Sequence, residues 1–193
     1  MAVVIKGSGT VEGISVGGLP DGVVDADTLA SNAVSTVKVA DDAVTAAKRG
    51  TGAILQVVSS TYTTSTNNTT TTYADTGLTG TISISANSHV LVMVTQPYVL
   101  YKTSGQAFGD IRLLRASTAI RESNGKQLGL IGEGSSARRL AGYYNVSFLD
   151  EGASTGSNTY KTQMKVNDSS DTPKILTSDD SSPATMILME VAA

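Results

Sequence analysis

Two near-identical blocks close to the N-terminus constrain this chain most. Leu29-Ala-Ser-Asn-Ala-Val-Ser-Thr36 is echoed ten residues later by Val39-Ala-Asp-Asp-Ala-Val-Thr-Ala46. Apart from Leu29, every apolar side chain in the pair is Ala or Val, so no aromatic or other bulky group is there to seal a core. Two periods compete. Ala30, Ala33, Val37, Ala40, Val44 and Ala47 recur in steps of three and four, the spacing of a heptad seam. The similarity itself recurs every ten residues, which is neither seven nor eleven. Short helical turns, broken and restarted, suit that period better than one uniform coil. Each buried methylene contributes only about 0.8 kcal/mol, so a narrow Ala/Val seam gains little when one chain buries it. Three chains around an axis bury it better. The alternative is one amphipathic helix packed on the chain's own β domain. Asp27 or Thr28 could cap such a helix and Gly50 could end it.

Residues 1–22 are Gly-rich, with small extended pieces marked by Val11, Ile14, Val16 and Leu19. Gly17-Gly18-Leu19-Pro20-Asp21-Gly22 is a turn signal. The segment lacks a hydrophobic face of its own. It reads as an attachment peptide that adds backbone hydrogen bonds to a partner; the alternative is a first strand of the head or a loose terminus. The residues expected to carry oligomerisation and attachment are Val11, Ile14, Val16, Leu19, Leu29, Ala33, Val37, Ala40 and Val44.

Beyond residue 50 the pattern changes to strands. Thr81-Ile-Ser-Ile-Ser85 alternates strictly, and Ile111 and Leu113 share one face of Asp110–Arg115. Tyr144, Val146 and Phe148 fall on one face, as do Tyr160, Thr162, Met164 and Val166. Val90–Thr95 is almost continuously apolar and reads as a central strand. Ile54–Val58 opens the series and Thr185–Val191 ends it. The Thr/Ser/Asn tract of residues 59–72 favours strand, since alternate Thr residues can ladder across a sheet, and Asn67-Asn68 reads as a turn inside it. About eight strands separated by Gly-, Ser-, Asn- and Asp-rich turns predict a mainly β fold. The expected architecture is an antiparallel, jelly-roll-like β-sandwich head at 51–193, preceded by an extended or short-helical arm and stalk at 1–50.

Composition narrows the chemistry. The chain has 193 residues and a net charge of −3, with no cysteine and a single histidine. There is no basic excess to neutralise phosphates, so nucleic acid is not an expected partner. Absent cysteine removes thiolate metal sites and cysteine nucleophiles. No apolar run approaches the roughly 20 residues that span a bilayer, and Met-Ala-Val-Val-Ile-Lys does not resemble a secretory leader. His89, beside the Val90 run, reads as a strand-edge residue. The acidic pairs Asp41-Asp42, Asp150-Glu151 and Asp179-Asp180 read as turns and caps rather than as a two-carboxylate hydrolase site. Asp21, Asp25 and Asp27 make only half of a calcium loop. The Gly-rich runs at 7–13 and 132–139 lack the continuation of a phosphate loop. No catalytic residue, metal or cofactor is expected. Tyr98, Tyr101 and Phe108, around a loop expected at Pro97, are the candidate sugar-stacking platform; a small satellite core or a subunit contact is the alternative.

Four segments carry a resemblance. They are Gly13-Ile-Ser-Val-Gly-Gly-Leu-Pro-Asp-Gly22, Val39-Ala-Asp-Asp-Ala-Val-Thr-Ala-Ala-Lys48, Ile54-Leu-Gln-Val-Val58 and Pro183-Ala-Thr-Met-Ile-Leu-Met-Glu-Val191. Together they resemble virion structural proteins of tailed bacteriophages, especially fibre and decoration proteins of phages infecting marine and freshwater bacteria. The resemblance implies a homotrimer made in the host cytoplasm and built into the virion, with its N-terminal part on the capsid, neck or tail. About two repeat units fit a short fibre or a capsid decoration (cement) protein better than a long tail fibre. The alternative is a receptor-binding fibre module that recognises host cell-surface glycans. Such a protein carries no catalytic residues to map here.

Overall fold

The computed structural model describes residues 24, 29–41, 43–45, 48–122, 128–130 (backbone only at 130), 137–168, 173–178 and 182–193. The chain divides into two units, Met1–Thr45 and Ala46–Ala193; the sequence had suggested a boundary at residue 50.

In the first unit the described residues form a series of tight turns and no α-helix. The Ala33 N–H donates to the Ala30 carbonyl at 2.9 Å, and ten residues on the Ala43 N–H donates to the Ala40 carbonyl at 3.0 Å. A short 3-10 turn, Thr36–Lys38, lies between them. Asn32 holds a positive φ of 64° in the first turn, a conformation that asparagine tolerates better than most residues. The repeat is therefore one reverse turn used twice. Neither a heptad helix nor the alternative amphipathic helix forms over these residues.

Among the described residues the second unit has eleven strands. In chain order they are β1 (Ile54–Tyr62), β2 (Thr66–Asn68), β3 (Ala74–Ile84), β4 (Ser88–Lys102), β5 (Ala107–Arg115) and β6 (Thr118–Arg121). They continue as β7 (Leu128–Leu130), β8 (Arg138–Asp150), β9 (Gly156–Val166), β10 (Lys174–Thr177) and β11 (Ala184–Ala192). One sheet has six strands in the order β1-β11-β4-β10-β2, with β8 on the other side of β4; the second has the order β3-β9-β5-β6, with β7 also on β5. The ladders are antiparallel, and the two sheets form a sandwich-like arrangement. The predicted mainly β, antiparallel class is the class observed.

Period-two alternation puts the apolar set inside. Leu78, Ile82, Val90, Val92, Leu100, Ile111, Leu113, Met164, Ile175, Met186 and Leu188 all lie in one core between the sheets. Tyr160, fully buried, and Tyr144 are its largest members. With no tryptophan in the chain, aliphatic side chains supply most of this packing, at about 1.5–3 kcal/mol for each one buried.

β4 runs straight through Pro97, where a loop was expected. Its first half pairs with β11 up to Thr95, and its second half pairs with β10 from Tyr98 onward. Pro97 sits in the gap between these two partners, where its missing N–H leaves no ladder bond unmade. Asn67-Asn68 is also strand rather than turn. Asn68 is buried and donates to the carbonyls of Met164 and Thr72, while its Oδ1 accepts from the Thr70 N–H. The turn follows one step later.

Glu190 gives the head a pH response. It is buried on the inner side of β11, and its carboxylate accepts from the Ser85 N–H and from Gln56 Nε2, each at 2.7 Å. Burial alone raises such a carboxyl; the hydrogen bonds from Ser85, Gln56 and Ser88 outweigh it and hold the pKa below the ordinary 4.5. A depressed folded pKa contributes stability above the unfolded value, and that contribution is lost as pH falls through the folded one. The urea midpoint is therefore expected to drop between about pH 5 and about pH 3, and Glu190→Gln is expected to flatten part of that slope. Burial also raises Asp75, and the bonds from Gln163 and Lys161 outweigh it, so this exposed carboxylate adds to the same slope. An unchanged slope in Glu190→Gln counts against this account.

Candidate functional site

The two outward faces of the head differ in chemistry. The outer face of the five-stranded sheet is a polar network. Lys161 pairs with Asp75 at 3.0 Å, and Arg112 reaches Gln163 at 2.7 Å and Glu122 at 3.2 Å. Arg112 and Lys165 lie over the Tyr73 ring, at 3.8 and 4.6 Å from its centre. Such a face suits water.

The outer face of the six-stranded sheet is mostly uncharged. Val57, Met189, Leu91 and Leu149 stand directly opposite one another across four adjacent strands, and Ile187 faces Met93 in the next row. Val57 is 56% exposed, Leu149 40% and Met93 39%. The strand positions of this face carry two charged side chains, Arg139 and Lys174, both at the end where Tyr101 lies. None of these apolar residues was singled out from the sequence. The signal was present: an almost continuous apolar run in an antiparallel sheet means that both faces of the strand are apolar, so the outer one calls for a cover.

The candidate sugar platform does not assemble. Tyr98 points inward against the core, and burial raises its pKa. Tyr101, three residues along an unbroken ladder, is on the outer face of the six-stranded sheet, where Lys174 lies 5.0 Å from its ring centre. Phe108 belongs to β5 in the other sheet and covers Gly129. The three rings occupy three surfaces because Pro97 continues the strand instead of folding a loop around them. A groove does form beside Tyr143, which is 62% exposed; of the three predicted rings it takes in Tyr98 alone, and it is lined also by Pro97, Val99, Arg139, Ala141, Gly142 and Ser182.

Of the expected attachment residues, Val11, Ile14, Val16 and Leu19 lie outside the described residues. The remainder are in the first unit. Val37 is 90% exposed, Val44 49% and Leu29 46%; Ala40 is exposed and Ala33 half-buried. Val34, at 57% exposed, belongs with them. The seam is thus largely open to solvent in the single chain.

The other candidates resolve individually. His89 is half-buried opposite Val191, an ordinary strand position. Asp150 is buried at the end of β8, where it binds Arg115 and Tyr160, while Glu151 is exposed in the turn that follows. Asp42, Asp179, Asp180, the Asp21, Asp25 and Asp27 set and most of the two Gly-rich runs lie outside the described residues. Among the described residues no three His, Cys, Asp or Glu side chains gather as metal ligands.

No protein-family model and no curated protein matches the chain. Solved structures align weakly. Dimeric latent PorU from Porphyromonas gingivalis aligns over 75% of this chain and 14% of its own, at 6% identity and a TM-score of 0.33. Infectious bursal disease virus, Gx strain, aligns over 72% and 37%, at 13% identity and a TM-score of 0.32. The VP2 subviral particle of the same virus aligns over 72% and 37%, at 12% identity and a TM-score of 0.29. The chain spans well under half the length of each. At these TM-scores the likenesses carry no argument about function.

Proposed function

We propose that the chain is a non-enzymatic structural protein of a tailed-phage particle, attached through its N-terminal arm and displaying its β head on the virion surface as a decoration protein or short fibre. The observation that supports this reading most is the exposed apolar seam. Leu29, Val34, Val37 and Val44 are each about half exposed or more, in a segment of repeated turns with no large side chain to cover them. Leaving these side chains in water forgoes their hydrophobic contribution, and a homotrimeric stalk, with neighbouring virion proteins, is a cover that small residues around a close axis permit. The head, by contrast, has a complete core of its own.

The test is removal of residues 1–50. The shortened protein is expected to keep a cooperative β-type melting transition and to lose both trimeric mass and incorporation into particles. Full incorporation of the shortened chain overturns the proposal. So does a monomer mass for the intact chain both in solution and on the particle.

A further inference from the structure

A sheet edge exposes a row of backbone donors and acceptors, and folded proteins guard such edges by shortness, bulges, proline or charge. Most edges of this head are guarded in one of those ways. The β1 pairing is irregular between Ile54 and Gln56. β3 is displaced between Asp75 and Thr79, where Gly77 takes a positive φ of 94°. β2, β6 and β7 have three, four and three residues.

β8 is different. It has 13 residues, pairs with β4 over its whole length without a register shift, and contains no proline. It pairs with β4 and with no other described strand. At about 3.4 Å per residue it presents an edge roughly 44 Å long. Between Arg139 and Asp150 it carries no charge, and the outward side chains of Ala141, Tyr143, Asn145, Ser147 and Leu149 are all exposed.

The charges sit just beyond that stretch and are opposite in sign. Arg139 is exposed at one end and Glu151 at the other. In an antiparallel pair, directly opposed residues lie on the same face of the sheet. A second β8 related by a two-fold axis at Asn145 sets Arg139 against the other copy's Glu151, twice. It also sets Tyr143 against Ser147 and Ala141 against Leu149. The apolar row Val57–Met189–Leu91–Leu149 then runs on into the second copy through Ala141 and its ladder partner Val99.

We infer that β8 is a docking edge for a second copy of this chain, joining two heads through a continuous sheet about a two-fold axis at Asn145. A two-fold contact is not part of a three-fold ring. It therefore joins one assembly to the next, and it stands whether or not the arm makes a trimer.

Light scattering on the full-length chain separates the two questions. The mass is expected to rise with concentration, doubling from monomer to dimer if the stalk does not form, and growing from trimer to hexamer or beyond if it does. Glu151→Arg opposes like charges at both symmetry-related positions and is expected to weaken the doubling about tenfold. The charge exchange Arg139→Glu with Glu151→Arg is expected to restore it to within about threefold. The chain has no cysteine, so Asn145→Cys places one thiol at the axis, where opposed Cα atoms are about 4.5–5.5 Å apart, within disulfide reach. Oxidation is expected to give a linked dimer, while Ser157→Cys, on the outer face of the other sheet, gives none. No doubling up to concentrations on the order of 100 µM overturns the inference. So does doubling that ignores the charge reversal, or doubling without the Asn145→Cys crosslink, either of which assigns the contact to another surface.

Discussion

Asp150→Ala is expected to be among the most destabilising single changes in the head, at about 3–5 kcal/mol. The carboxylate binds Arg115 Nη1 at 2.6 Å and accepts from the Tyr160 hydroxyl at 2.8 Å and the Gly152 N–H at 3.2 Å. Asp150 is on β8 in one sheet, and Arg115 and Tyr160 are on β5 and β9 in the other, so the cluster ties the two layers together at one end. Truncation takes away the acceptor of the buried Tyr160 hydroxyl, which keeps only its contact with Arg115, and removes the counter-charge of Arg115. Arg115 is 25% exposed and recovers part of its solvation, which places the expected loss at the lower end of that range. For a domain of this size each kcal/mol lowers Tm by about 2–4 °C, so a fall of roughly 6–12 °C follows. Asp150→Asn keeps an acceptor for Tyr160 and is expected to lose less than half as much. A calorimetric scan of both variants decides the matter: an Asp150→Ala protein melting within about 2 °C of the parent means the cluster is incidental to stability.

Gly77→Ala is expected to rival it, for steric reasons. Gly77 holds a φ of 94°, where a Cβ brings strain of about 1–3 kcal/mol. A Cβ there would also run into the ring of Tyr62 on β1, lying 2.6 Å from its hydroxyl oxygen. Overpacking of that kind costs a further 1–3 kcal/mol or so. The glycine is required because the register advances four residues along β3 against two along β9. That displacement turns Thr76 inward, where its hydroxyl meets Thr162 at 2.6 Å and the buried Gln96 at 3.3 Å. The clash and the strain are separable. Combined with Tyr62→Ala, the Gly77→Ala change should lose its steric part and keep the backbone part, so the double variant is more stable than the two single losses predict. Strict additivity in urea denaturation rejects the contact with Tyr62 as the cause.

Much of the head is legible in the residues. The alternating faces at Thr81–Ser85, Asp110–Arg115, Ala141–Leu149 and Tyr160–Val166 all appear as strands, with the predicted sets turned inward. Three elements of three or four residues, β6, β7 and β10, were not predicted, because so few residues carry no measurable period; β2 falls in the strand-favouring Thr/Ser tract, at the pair that reads as its turn. Pro97 misled in another way. Proline is a sound signal against an interior strand, but it holds only where both flanking partners need the N–H, and β4 changes partner at that residue. The sugar platform built on that loop went with it. The ten-residue repeat was legible as broken turns, and the structure decided between these and a helix over the described residues.

Local pattern therefore determined the β class of this chain and the inward side of its longer strands. Both follow from the two-residue pleat, which needs only a strand and its immediate neighbours. Pairing decided the rest: which strands share a sheet, that Val57, Met189, Leu91 and Leu149 form one outward-facing row, and that, among the described strands, β8 is the long edge left regular. Those properties depend on contacts between residues far apart along the chain. Loop closure and the burial of the whole core select such contacts, and no short window of residues contains them.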